Sequence, residues 1–341
     1  MSRIASSSTA LRRSQITTFA PQLKKAFAVA KPIPDPPPVT TTVFLVKSKQ
    51  SMLCYNKLNE IVNQLMKFRK KIFHFARNLA SQRNLLFYKL RGRKPWTRGY
   101  FEHKWRLIKE ILDGKKLLAD FKDERVDERL VEYLWLMKNL PEGEARLLDA
   151  GSALNFEIIL NQPKLSTKKI TIVNLNPEKN CFARRGVSYL YEDLRNLPFK
   201  SDSFDIITCI STLEHIGMDN TKIYTADPKY KENKAEDYLV AVTELKRILK
   251  PGGHLFITVP FGKYHKFGFF QQFDRDMINR LGSLFGTDKC IETYYKYTED
   301  GWQTSNQSEC ASSEYVLADK AKVSTSGAAA ASAVACLKLT K

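Results

Sequence analysis

The sequence predicts an α/β protein, a doubly wound, mostly parallel sheet preceded by a helical N-terminal extension. Three observations lead there. Short runs rich in Ile, Leu, Val and Thr recur between residues 145 and 261, with a helical stretch between the last two. That alternation is the pattern of a parallel sheet covered on both faces. Residues able to do chemistry follow the runs, at the strand ends where such sheets bind ligands. Residues 51–135 instead carry apolar side chains at three- and four-residue steps, the spacing of helices.

The elements follow in chain order. Residues 1–50 are rich in Ser, Thr and Pro, with Asp35 as the only acid. Such a segment buries too little apolar surface to offset its ordering entropy and is expected to be disordered. A transit peptide, or an over-extended start with Met52 as the real one, fits the same composition. Next, Leu58, Ile61, Val62, Leu65, Phe68, Ile72, Phe75 and Leu79 mark one face of a long helix, with Lys67, Arg69, Lys70, Lys71 and Arg77 around it. A basic amphipathic helix of this kind can lie on an anionic membrane, pack on a partner or pack on its own domain. Two more helices are expected through "YFEHKWRLIKEIL" and "DERLVEYLWLMKNL", the second ended by Pro141 and Gly143.

From 136 to 341 a second domain is expected. "ARLLDAG", "KKITIVNLN", "SFDIITCIST" and "GGHLFITVPF" are its buried strands. "AEDYLVAVTELKRILK" is a helix with an apolar stripe of Leu239, Val242, Leu245, Ile248 and Leu249, closed by Pro251-Gly252-Gly253.

Charge and cysteines narrow the function. The net charge of +19 suggests nucleic acid until it is mapped. Residues 1–116 hold 25 of the 55 Lys+Arg and 5 of the 36 Asp+Glu, so the rest carries 30 basic against 31 acidic residues. A nucleic-acid enzyme would place positive charge around its cleft as well. The six cysteines are scattered and form no CxxC pair. Neither a zinc site nor a disulfide framework is indicated, and a reducing cytoplasmic compartment is the expected setting. No apolar run approaches the length of a membrane-spanning helix.

Taken in order, "LLDAG", "IVNLNPE", "DLRNLPFKSDSFDIITCISTLEHIG" and "ELKRILKPGGHLFITVPFG" resemble the class I S-adenosylmethionine-dependent methyltransferases, of the type 11 group, over about 145–262. The resemblance implies a Rossmann-like, three-layer fold with seven strands and an antiparallel last pair. "CIETYYKYTE" and "AVACLKLT" would form that pair, and the Ser-, Gly- and Ala-rich stretch between them a long mobile insertion.

The resemblance also implies a site. Asp149 and Gly151 match the loop around the methionine part of S-adenosylmethionine, with a helix N-terminus facing its carboxylate. Ala153 and Asn155 stand where the family has glycines. Ala tolerates ordinary φ, and Asn is the side chain best able to take positive φ. Asn174, beside Leu175, replaces an acid that meets the ribose hydroxyls, which implies weaker binding. Asp193 and Leu194 match the adenine contact, and Ser211 to Leu213 the wall beneath the methyl group. His215 is the candidate general base, since imidazole titrates near neutral pH, with Glu214 orienting it or acting in its place. Tyr264 and His265 would face the acceptor. Glu214, Asp219 and Asp227 are acids near the cleft, more simply solvated than metal-binding.

The expected acceptor is a hydroxyl on a small molecule or glycoconjugate. Two alternatives stay open. One is a degenerate, cofactor-free scaffold that binds a membrane or partner through the basic N-terminal helices, 52–135, with residues 55–90 as the membrane contact. The other is an RNA methyltransferase. Against the latter, the segment after the fourth strand is "STLEH", not an Asn-Pro-Pro-Tyr tetrapeptide.

Overall fold

The computed structural model describes residues 49–341, apart from 91, 93, 98, 123 and 324–326. The tail expected to be disordered therefore lies almost wholly outside the described residues. The chain divides into two units, 1–89 and 90–341. The described part of the first is one helix, α1 (Lys49–Leu90). Its apolar stripe faces water, with Ile61, Leu65, Phe68, Ile72, Phe75 and Leu79 all more than half exposed.

The second unit is built on a sheet. Its strands are β1 (Ala145–Ala150), β2 (Lys168–Asn174), β3 (Ser188–Tyr191), β4 (Phe204–Ile210), β5 (Leu249–Pro260), β8 (Cys290–Thr298), β9 (Gly301–Ser305) and β10 (Ala333–Thr340). A separate two-stranded ribbon pairs β6 (His265–Lys266) with β7 (Gln271–Gln272). The main sheet runs in the order β3-β2-β1-β4-β5-β10-β8-β9. The first five strands are parallel, and β10 is antiparallel to both β5 and β8. The Rossmann-like α/β class is as expected, but the sheet has eight strands where seven were expected.

The extra strand is β9. A two-residue loop, Glu299-Asp300, turns β8 onto Gly301, which has φ +87°. A Cβ there would lie 2.7 Å from the Phe121 carbonyl oxygen. Polar composition hid this strand, although an Asp-Gly turn is itself a hairpin signal. The expected mobile insertion also needs correction. Ala328–Ala331 are buried, and Val316 N–H donates to Ala330 O at 2.8 Å. Trp96 Nε1 donates to Ala329 O at 2.6 Å, and Arg125 Nη2 to Ala321 O at 3.0 Å. Small side chains let this backbone enter the interior, where its carbonyls find donors.

Helices cover both faces, because strand side chains alternate. Leu148, Ala150, Leu255, Ile257 and Val259 join one cluster with α6 (Asp237–Ile248) and α7 (Arg275–Phe285). On the opposite face, α3 (Arg129–Asn139) sets Trp135 edge-on to Phe256 at 5.8 Å. Next to it, α2 (Tyr100–Leu112) buries Leu107, Ile108 and Ile111. Between β1 and β2 only two single turns form, α4 (Glu157–Leu160) and α5 (Pro163–Ser166). Pro163 cannot continue a helix begun at 157. The helix expected to follow the loop is therefore the single turn α4, which starts at Glu157.

Candidate cofactor and acceptor site

The site starts where β1 ends. Asp149 is fully buried. Its Oδ2 accepts from Leu154 N–H at 2.7 Å and its Oδ1 from the Thr208 hydroxyl at 3.0 Å. It thereby fastens the 150–154 loop to β4. Burial pushes its carboxyl up to about 7, against the pull of those two donors. Gly151 has φ +100° and donates to Val173 O at 2.8 Å. A Cβ there would lie 2.5 Å from Thr212 Cγ2, so only glycine lets β1 and β4 close up here. The second left-handed residue is Ser152, φ +60°, and not Asn155. Ser152 tolerates this conformation because its hydroxyl donates to Glu178 Oε1 at 2.6 Å. Ala153 takes an ordinary φ, as expected, and its carbonyl accepts from the Tyr133 hydroxyl at 2.6 Å.

Asn155 is a buried connector. Its Nδ2 donates to Glu178 Oε2 at 2.8 Å and to Asn180 O at 3.0 Å, and its Oδ1 accepts from the Tyr189 hydroxyl at 2.9 Å. Asn174, at the end of β2, donates to Glu178 Oε1 at 3.0 Å and accepts from Leu175 N–H at 2.9 Å. The acid missing at 174 is thus present four residues later. Glu178 gathers Ser152, Asn155 and Asn174 and remains exposed. Restoring the usual acid with Asn174→Asp would set two carboxylates about 3 Å apart. We expect that variant to bind cofactor more weakly than the parent, measured by calorimetry. Tighter binding would show that Glu178 does not supply the charge.

Asp193 is otherwise engaged. Arg195 donates to it through its backbone N–H at 2.9 Å, Nε at 3.0 Å and Nη2 at 2.6 Å. The same guanidinium reaches Glu232 Oε2 at 2.8 Å and Asp237 Oδ2 at 2.6 Å. Although burial opposes it, Arg195 holds the Asp193 carboxyl below its usual range. Leu194 beside it is buried. Asp193 therefore organises a three-acid, one-guanidinium knot at the rim, with its lone pairs filled. Arg195→Ala leaves three facing acids and is expected to cost about 1–3 kcal/mol in urea unfolding.

At the exit of β4, Ser211 has φ +41°, and its hydroxyl donates to Glu132 Oε1 at 2.5 Å. Leu213 is fully buried and Glu214 nearly so. His215 Nδ1 faces Phe269 O at 2.8 Å, which fixes it as the protonated nitrogen, and Nε2 accepts from the Tyr224 hydroxyl at 3.2 Å. Glu214 is therefore not the partner that orients His215. Burial pushes the imidazole down to about 4, so it is neutral at pH 7. The unfolded chain takes its proton near 6.5, so stability is lost as pH falls from about 6.5 toward 4, by up to about 3 kcal/mol. Raised Asp149 has the opposite slope. The stability difference between the protein and its His215→Phe variant isolates the histidine, and should shrink over that range in urea titrations.

Sequence reasoning missed Glu132. It lies fully buried on α3 and receives Thr258 Oγ1 at 2.6 Å, Ser211 Oγ, and Arg129 Nη1 at 2.7 Å. Its one signal was Arg129-x-x-Glu132, an acid three residues from a cation within a helix otherwise apolar on most sides.

Residues 148–257 match the family described as "Methyltransferase domain", type 11. Over that span the chain is similar to methyltransferase domains. An uncharacterized protein of Methanocaldococcus jannaschii is 28% identical over 146 residues, covering 42% of this chain and 52% of that protein. The chain thus spans about half the length of that curated relative. Among solved structures, the Burkholderia thailandensis 1,6-didemethyltoxoflavin-N1-methyltransferase is similar at 14% identity, over 70% of this chain and 87% of its own, with a TM-score of 0.38. A Haloferax volcanii protein solved as the putative methyltransferase in complex with the Trm112 activator is similar at 14% identity, over 70% and 96%, with a TM-score of 0.40.

Within the matched span, Asp149, Gly151, Ala153, Asn155 and Asn174 come together around the loop and Glu178. Through Thr212 the loop also meets the Ser211–His215 turn. Asp193 belongs to the separate Arg195 knot. Tyr264 and His265 are exposed, with the His265 ring 4.4 Å from Phe267. Asp219 and Asp227 each cap a turn, accepting from Thr221 N–H and Lys229 N–H. Among the described residues, no cluster of three or more His, Cys, Asp or Glu is arranged for a metal. No described helix is long and apolar enough to cross a membrane.

Proposed function

We propose that this chain methylates a hydroxyl of a small molecule or glycoconjugate in the cytoplasm, with S-adenosylmethionine as donor. The observation that carries this reading is the junction of β1 and β4. Gly151 leaves no room for a Cβ against Thr212, and the exposed Glu178 carboxylate is held beside it. These residues fit the donor: a glycine loop backbone for its methionine end, and one carboxylate whose Oε2, with a single donor from Asn155, keeps one lone pair for a hydroxyl. Bound, the donor supplies an activated methyl group on a positively charged sulfur. The chain's own residues align the acceptor. His215 Nε2, with Nδ1–H fixed by Phe269 O, takes the hydroxyl proton once the acceptor hydroxyl displaces that of Tyr224 from this nitrogen. Its depressed basicity keeps it in the neutral, proton-accepting form at pH 7.

Calorimetry with purified protein should give a micromolar-range dissociation constant for S-adenosylmethionine, and no heat at millimolar donor would end this reading. The acid limb of the rate profile should lie well below 6.5, toward the depressed imidazole value of about 4.

A second reading concerns α1. We propose that residues 55–90 contact an anionic membrane surface, supported by exposed Phe68, Ile72 and Phe75 on a helix rich in Lys and Arg. Cosedimentation with phosphatidylserine vesicles should exceed that with neutral vesicles and fall with salt. Equal binding to both would overturn it.

A further inference from the structure

Glu214 is 4% exposed, and its Oε2 is buried with no hydrogen-bond partner among the described residues. Unpaired oxygens in an interior are costly, and each one calls for an explanation. The neighbours do not supply a partner. His215 is satisfied by Phe269 O and Tyr224, and Arg129 is taken by Glu132 at 2.7 Å. The missing partner is best sought in a ligand.

The surroundings describe that ligand. Burial first, then the Glu132 and Glu128 charges, raise the Glu214 carboxyl well above its usual range, with a hydrogen bond from its own backbone N–H and the Arg129 charge opposing. The Tyr315 hydroxyl is also raised, chiefly by burial and by Glu128, Asp127 and Glu214. The Tyr315 ring lies 4.6 Å from Phe270 and 5.6 Å from Phe267, and Phe270 lies 6.0 Å from His215. Acids and aromatic rings together disfavour an anion. They suit an uncharged molecule with hydroxyls for the carboxyl and C–H faces for the rings.

We propose that Glu214 recognises the methyl acceptor, its Oε2 exchanging a hydrogen bond with a hydroxyl of an uncharged polyol, while the acids beside it turn away phosphorylated and carboxylated molecules. This rests on the methyltransferase reading and names the acceptor class of that site. Glu214 acts in recognition, distinct from the proton transfer assigned to His215.

The test titrates the full chain with methyl glucoside and with glucose 6-phosphate by ligand-observed NMR, each with and without S-adenosylhomocysteine. The glucoside should saturate and the phosphate should not. Glu214→Met should weaken the glucoside about tenfold, the loss of one hydrogen bond of about 1.4 kcal/mol, while Glu214→Gln retains most of the binding. The Met variant should melt at or above the parent's temperature, because the unpaired oxygen is gone, and should bind S-adenosylhomocysteine like the parent. Phosphate binding, glucoside binding indifferent to Glu214→Met, no glucoside binding at all, or a Met variant that melts several degrees lower would each overturn the proposal. Failure of S-adenosylhomocysteine to bind the parent, with Glu214-dependent glucoside binding intact, would instead overturn the methyltransferase reading and keep only the polyol contact at Glu214.

Discussion

Replacing Glu132 with alanine is expected to cost about 3–5 kcal/mol of stability, the penalty for breaking a fully buried ion pair. The reason is what would remain. Arg129 would keep its charge and lose the carboxylate paired with it at 2.7 Å, and the hydroxyls of Ser211 and Thr258 would lose the oxygen they share. Those hydroxyls sit on the exit of β4 and on β5, so the loss should also loosen the turn that carries Glu214 and His215. Glu132→Gln keeps the shape and one acceptor oxygen and should cost less. Urea unfolding of the two variants separates charge from shape. If Glu132→Ala loses under 1 kcal/mol, the buried pair does not organise this turn.

Gly151→Ala should be nearly as damaging. A left-handed φ at a residue with a Cβ costs on the order of 1–3 kcal/mol, and overpacking adds about 1–3 more. The added methyl would meet Thr212, with Cγ2 at 2.5 Å and Cβ at 2.8 Å. Because the clash has a single named partner, Thr212→Ala should return the part of the overpacking due to Oγ1 and Cγ2, leaving the contact with Cβ and the φ part. Binding of S-adenosylmethionine should fall with the first substitution and partly recover in the double variant. A double variant no more stable than Gly151→Ala would locate the strain elsewhere.

The strands were legible because buried parallel strands are apolar throughout and end on turn residues. "LLDAG" and "IITCI" hardly permit another reading. The site was legible in position but less so in chemistry. Asn174 looked like a lost acid, because a linear motif cannot show that Glu178 folds back onto it. Asn155 looked like the left-handed residue by propensity. Ser152 holds that role because Glu178 holds its hydroxyl, a tertiary contact overriding a local preference. Glu132 looked like any acid on a surface helix, since its two hydroxyl partners lie 79 and 126 residues away. The alanine-rich stretch looked mobile because its composition buries few side-chain atoms, yet it is the backbone that enters the interior.

One placement bears on how the chain is made. The last strand, β10, lies between β5 and β8, and Lys341 Nζ donates to Leu249 O at 2.7 Å. During synthesis the β8–β9 hairpin emerges first and has no edge to join, while β5 presents an open, apolar one. The two halves of the sheet meet only when residues 333–340 leave the ribosome. Until then the nascent chain carries two unpaired strand edges, the surfaces that chaperones and aggregation compete for. A chain lacking residues 333–340 would therefore hold its sheet in two pieces, with β5 and β8 both unpaired on the sides that β10 joins.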